Sequence, residues 1–357
     1  MKNIFWIIEI TSCKLCSEEE IFVKFSFPKI ELHLHLDGSL VLEDTWEMAL
    51  QQGLVKKEDG FESFRRRMQV PQTCRNLADY LKCFQLADAV LQTPEALERA
   101  SRSLLLQLSR EGIIYAEVRF APQLHCEKGM TQEQAVQAVL RGVKRAERET
   151  QIKAGVLLCA MVTTGKPDVD QQNERTFRLA AEYRKEGVAG VDLAGAETAR
   201  PMEDFRTLFQ LASALSLPFT IHAGEAGGPE NVRTAVNFGA RRIGHGCSAI
   251  RSPAVMDLLK REKVTLEMCP TSNLQTCAVP SLQEHPIRQF AELGIPVTVN
   301  TDDSTCSSTT LDQEYEKVMS LGFTQRDLIK MNCNAAKAAF LPEKEKAVLF
   351  ERLQAWL

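Results

Sequence analysis

No stretch of this 357-residue chain approaches the roughly 18 consecutive apolar residues that a membrane-spanning helix requires. The opening MKNIFWIIEI carries a single lysine, and Glu9 interrupts its apolar run too early for a signal peptide. Low-complexity tracts, sequence repeats and Pro/Gly-rich linkers are also missing, so no composition shift marks a domain boundary. Charge of one sign is not in excess. The 43 Lys and Arg stand against 47 Asp and Glu, a formal −4, which argues against nucleic acid as a partner. The densest basic cluster, Arg65–Arg67 in ESFRRRMQV, reads as a solvated helix face. Eleven cysteines lie at irregular spacing in a chain too large to need disulfide staples, which points to a reducing, cytoplasmic setting. Cys13 and Cys16 form a CxxC with no second pair at zinc-finger spacing, and read as incidental thiols in an N-terminal extension, residues 1–27.

Histidine is scarce too, with six in all, yet two of them sit one residue apart in PKIELHLHLDGSL, residues 28–40. Period-two alternation puts Ile30, Leu32, Leu34 and Leu36 on one face of a strand, and Glu31, His33, His35 and Asp37 on the other. Two imidazoles and two carboxylates on one strand face mean either solvent or a site.

Short apolar strand candidates recur along the rest of the chain, at 30–36, 113–120, 155–162, 188–195, 218–224, 241–246, 263–269 and 295–303. The gaps suit single helices, such as 204–217 and 252–263, with apolar residues at three-to-four spacing. Strand and helix alternating eight times predicts an α/β protein, a (β/α)8 TIM barrel, with residues 28–357 as one domain. The gap from 38 to 112 is too long for one helix and predicts extra helices over the C-terminal mouth. The unusual polar residues concentrate at the C-terminal ends of these strands: His33, His35, Asp37, Asp192, His222, His245, Glu267, Asp302 and Asp303. That is the end at which such a barrel builds its active site.

A metal site needs three or four His, Cys or carboxylate ligands converging from rigid elements. His33 and His35 from the first strand, His222 from the fifth and Asp302 from the eighth meet that need, since the first and eighth strands are neighbours in a closed barrel. Three neutral imidazoles and one carboxylate suit Zn²⁺, one ion per chain, with an open position for water. Glu225, three residues after His222 in HAGE, is placed to shuttle protons as general acid and base. His245, between Gly244 and Gly246, is placed to orient the attacking oxygen. Asp302 and Asp303 face opposite sides if the strand continues, which sends Asp302 inward and Asp303 toward substrate. The other zinc-deaminase pattern, HxE followed by PCxxC, is excluded: His125-Cys126-Glu127 supplies the first half, but no PCxxC follows.

Taken together, PKIELHLHLDGSL, YAEVRFAP, GVDLAG, TIHAGE, RRIGHG, EMCPTSNLQT and NTDD resemble, in order, the motifs of the adenosine deaminase family of metal-dependent amidohydrolases. The resemblance runs from Pro28 to about Leu311. It implies a hydrolase of purine salvage that converts adenosine to inosine and ammonia, with 2′-deoxyadenosine expected as a second substrate. Adenine or an adenine nucleotide is the alternative. It implies His33, His35, His222 and Asp302 as metal ligands, Glu225 as the group that protonates purine N1, and His245 beside the attacking oxygen. It further implies Gly195 as N–H donor to N3, Asp303 as the carboxyl bonding N7, and Asp37 as the carboxylate that holds the ribose 5′-hydroxyl. LADYLKCF resembles the family's hydrophobic lid, so Leu77, Tyr80, Leu81 and Phe84 are expected to cover the pocket. The chain departs from the family pattern at Ser304 and Thr305, where Pro commonly follows the paired aspartates, and at Ala196, where Asp often follows DLAG.

Overall fold

The computed structural model describes residues 24–163 and 168–357; Cys13 and Cys16 lie outside them. Eight parallel strands follow in chain order: β1 (Lys29–His35), β2 (Ile113–Phe120), β3 (Lys153–Val162), β4 (Val188–Gly195), β5 (His222–Ala223), β6 (Arg242–His245), β7 (Thr265–Met268) and β8 (Val297–Val299). They pair as β1-β2-β3-β4 and β5-β6-β7-β8. Two single bridges, Leu34 to Asp302 and Val191 to Phe219, join these halves into a ring. The expected barrel is what forms, in sequential strand order.

Two strands are shorter than the sequence suggests. Only His222 and Ala223 remain of the expected 218–224, because Pro218 has no N–H to give a ladder. There the contact to β4 is reduced to Val191 N–H donating to the Pro218 carbonyl and Thr220 N–H to that of Val191. The eighth strand stops at Val299 rather than running to 303. Asn300 turns its amide onto the Met268 carbonyl and the Thr298 hydroxyl, and Asp302 adopts a left-handed φ of +64°.

Five α-helices occupy the long gap after β1: Leu42–Gln51, Phe61–Met68, Leu77–Tyr80, Phe84–Val90 and Pro94–Arg110. The last packs on helix Gln132–Glu149 in the outer layer, so it is a barrel helix rather than a cover. Arg65, Arg66 and Arg67 are exposed on helix Phe61–Met68, whose Phe64 and Met68 are buried. The core fills the space between ring and helices with residues such as Leu34, Val118, Leu158, Val191, Ile243 and Leu266, all fully or almost fully buried. Phe25 and Phe27 pack on Tyr315, which ties the start of the described chain to the barrel wall.

Candidate active site

The inward face of the strands carries charge, and the ring buries it completely. Arg119 from β2 lies between Asp192 of β4 (2.8 Å) and Glu267 of β7 (2.9 Å). Arg242 of β6 pairs with Glu267 and with Glu117. Burial opposes ionisation of Glu267, but Arg242 and Arg119 outweigh it and hold the carboxyl well below the usual range. Asp192 is likewise held low, against burial, by His222 and Arg119.

These carboxylates fix two histidine rings. His33 Nδ1 lies 2.8 Å from Glu267 Oε2, and His222 Nδ1 lies 3.0 Å from Asp192 Oδ2. Each carboxylate accepts a hydrogen bond from the ring's Nδ1–H, which turns each Nε2 inward, where a metal would take its lone pair. Gly244 makes room for this pair: a Cβ there would sit 2.9 Å from His33 Cε1 and 3.3 Å from the His222 ring.

The Nε2 atoms converge. His33 Nε2 is buried without a hydrogen-bond partner and faces Asp302 Oδ1 at 3.1 Å. His35 Nε2 lies 3.2 Å from His222 Nε2 and 3.4 Å from the same Asp302 oxygen. Burial and the neighbouring His222, His33 and Arg119 push His35 well below its usual pKa, so its ring is neutral. Three imidazoles with a carboxylate at these distances are a first-row transition-metal donor set. The site can hold a metal.

His245 also approaches, and His33, His222, His245 and Asp302 bring ligand atoms within 4.8 Å of one another. Its hydrogen bonding nevertheless sets it apart. Asn273 Oδ1 accepts from the Cys269 amide (3.4 Å), which directs Asn273 Nδ2 to His245 Nδ1 at 3.0 Å. His245 Nδ1 is therefore an acceptor, and in the neutral ring Nε2 holds the proton. His245 Nε2 faces Glu225 Oε2 (3.7 Å) and Asp302 Oδ2 (3.9 Å). His245 and Asp302 both hold left-handed φ values, +62° and +64°, costing about 1–2 kcal/mol each for a residue with a Cβ.

Glu225 is buried, and burial followed by repulsion from Asp302 raises its pKa to about 8. Asp303 is pushed well above the ordinary carboxyl range by burial and by Asp302 beside it. Its Oδ2 accepts from the Tyr80 hydroxyl at 2.8 Å, while Oδ1 is buried without a partner. Burial and Asp302 raise Asp37 to about 6, and its Oδ1 also lacks a partner.

A small pocket opens beside His35, lined by His35, Asp37, Phe84, Met161 and Gly195 among others. Of the lid expected at LADYLKCF, Phe84 lines the cavity and Tyr80 reaches Asp303, whereas Leu77 and Leu81 are half-buried outside its lining. The residues that orient the histidines, Asp192, Glu267 and Asn273, have no assigned role in the sequence reading, and Arg119 and Glu117 escape it. The signal for the last two was present: charged residues at alternate positions inside the apolar run IIYAEVRF.

An adenosine deaminase family model matches residues 28–356. The chain belongs to the adenosine deaminase family. It is 42% identical over 332 residues to an adenosine deaminase of Haemophilus ducreyi, covering 91% of this chain and 95% of the relative. An adenine deaminase from Arthrobacter aurescens superposes with a TM-score of 0.83 at 25% identity, covering 93% of this chain and 99% of that one. The N6-methyl-AMP deaminase of Arabidopsis thaliana does so with a TM-score of 0.80 at 27% identity, over 92% and 97% of the two chains. Family members sharing this barrel thus act on a base or a nucleotide. The fold alone does not choose the substrate.

Proposed function

We propose that this chain hydrolyses adenosine, and 2′-deoxyadenosine with it, to inosine and ammonia in purine salvage, with residues 28–357 as one catalytic domain. The observation that carries this reading is the meeting of imidazoles, Asp302 and a buried Glu225 at the C-terminal end of the strands, beside a pocket that His35, Asp37 and Gly195 line. Similarity to adenosine deaminase at 42% identity supports the nucleoside over the base and the nucleotide.

His33, His35, His222 and Asp302 would hold one Zn²⁺, since their Nε2 and carboxylate oxygen atoms lie close together. Bound there, the ion would lower the pKa of water enough to supply a nucleophile near neutral pH. The remaining steps belong to the protein. Glu225 gives its proton to purine N1, which makes C6 electrophilic, and later relays a proton to the departing amine. His245 aims the attacking oxygen through Nε2–H. Asp303, kept protonated by its surroundings, donates to N7, and the Gly195 N–H donates to N3. Asp37 accepts the 5′-hydroxyl through Oδ1, and Phe84 closes the apolar side.

No helix among the described residues is long and apolar enough to cross a membrane. The nine cysteines among them are free, which supports a cytoplasmic location. A panel of adenosine, 2′-deoxyadenosine, adenine and AMP, with ammonia release as the readout, tests the proposal. Adenosine should be turned over fastest, and turnover of adenine or AMP at an equal or higher kcat/KM would reject it.

A further inference from the structure

Glu197 follows Gly195 by two residues, on the short turn Glu197–Ala199 after β4, and its side chain is buried. It gathers the loop that carries Glu225. Oε1 accepts from the Gly224 amide (2.6 Å) and from Asn231 Nδ2 (2.9 Å). Oε2 accepts from the amides of Glu225 (3.1 Å), Ala226 (2.8 Å) and Gly227 (2.7 Å).

Four successive backbone N–H groups turned onto one point form a nest, the kind of concavity that binds free anions. Here the anion is a side chain of the same protein, delivered from the neighbouring strand end. The fit is close enough to dictate sequence. A Cβ at Gly227 would lie 2.4 Å from Glu197 Oε1 and 2.4 Å from Asn231 Nδ2, so a side chain there would push one of them aside. Hydrogen bonds to an ionised acceptor are short and about twice as strong as neutral ones, and five of them fix this loop on β4.

We propose that Glu197 is a positioning residue for Glu225. Its grip on the 224–227 backbone sets where the Glu225 carboxyl enters the site and ties that position to the β4 end where Gly195 lines the cavity. The inference rests on the reading of Glu225 as the acid–base group. Displacement of a reacting group by about 1 Å can cost 10²-fold in rate, so a loosened loop should appear in kcat.

Glu197→Gln keeps the shape but offers an acceptor at one end only and turns an N–H toward the amides at the other. It should lower kcat for adenosine by about 10–100-fold, with KM moved less than a few-fold and metal content unchanged. Glu197→Asp, which keeps both oxygens on a shorter arm, should recover part of that loss. The deciding measurement is the double variant. If Glu197 acts through Glu225, adding Glu197→Gln to Glu225→Gln should slow the enzyme by no more than about 2–3-fold, since coupled residues are non-additive. A Glu225→Gln variant of unaltered kcat would sink the acid–base reading itself. A slow Glu225→Gln, further slowed by Glu197→Gln in full proportion, would sink only the positioning role, as would a Glu197→Gln variant of normal kcat. Should Glu197→Gln fail to fold, Gly227→Ala probes the same nest from the loop side, with the same expected coupling to Glu225→Gln.

Discussion

The Nδ1 of His33 and Oε2 of Glu267 lie 2.8 Å apart, and that contact decides which nitrogen of His33 faces Asp302. The same relationship between His222 and Asp192 does this on the other side of the barrel. Arg119 bonds both carboxylates, so the two ring orientations share one cation.

Metal content is the first consequence to measure. Replacing His222 by Ala should remove most bound metal and, with it, activity. Glu267→Gln leaves every ligand in place but withdraws the charge behind His33, and should weaken metal affinity about 10–100-fold in a chelator competition. Full occupancy and full activity of His222→Ala would exclude the proposed ligand set.

Proton transfer is separable from metal binding. Glu225→Gln should keep both the metal and the melting temperature while kcat falls by about 10² or more, the usual contribution of a positioned acid or base. A change of less than a few-fold would reduce Glu225 to a structural acid.

Substrate choice is expected to reside in Asp37. A carboxylate accepting a 5′-hydroxyl makes a contact worth about 1.5–3 kcal/mol, and its charge repels a 5′-phosphate. Asp37→Asn should therefore lower kcat/KM for adenosine and narrow the gap between adenosine and AMP. An unchanged ratio of the two values would assign Asp37 to the turn instead.

Acid stability should carry the mark of His125. Both ring nitrogens are buried without a partner, and burial lowers the group from 6.5 to about 4. Between those values the unfolded chain binds the extra proton, so this stability is present above about pH 6.5 and is lost as the pH falls toward 4. From pH 7 to pH 5 the loss is about 2 kcal/mol. His125→Phe, in a ring position already stacked on Phe120, should flatten that part of the denaturation curve. Parallel pH dependences for the two proteins would refute the assignment.

The sequence by itself determined the barrel, because eight apolar runs separated by helix-length gaps admit few other closures. It also determined which strand ends bear the imidazoles and carboxylates, since residue parity in β1 already put His33 and His35 on one face. Only the tertiary structure decided what each of those groups can do. Which atom of His245 faces the site depends on Asn273, 28 residues away, whose Nδ2 lies 3.0 Å from His245 Nδ1. Glu225 is singled out by its place in HAGE, but only burial and the nearby Asp302 raise its pKa. Glu197 looks like a surface acid until the loop from 224 to 227 closes over it. Tautomer, protonation and loop placement depend on which groups face each other across the ring, and local pattern carries no record of distance between strands that are far apart in the chain.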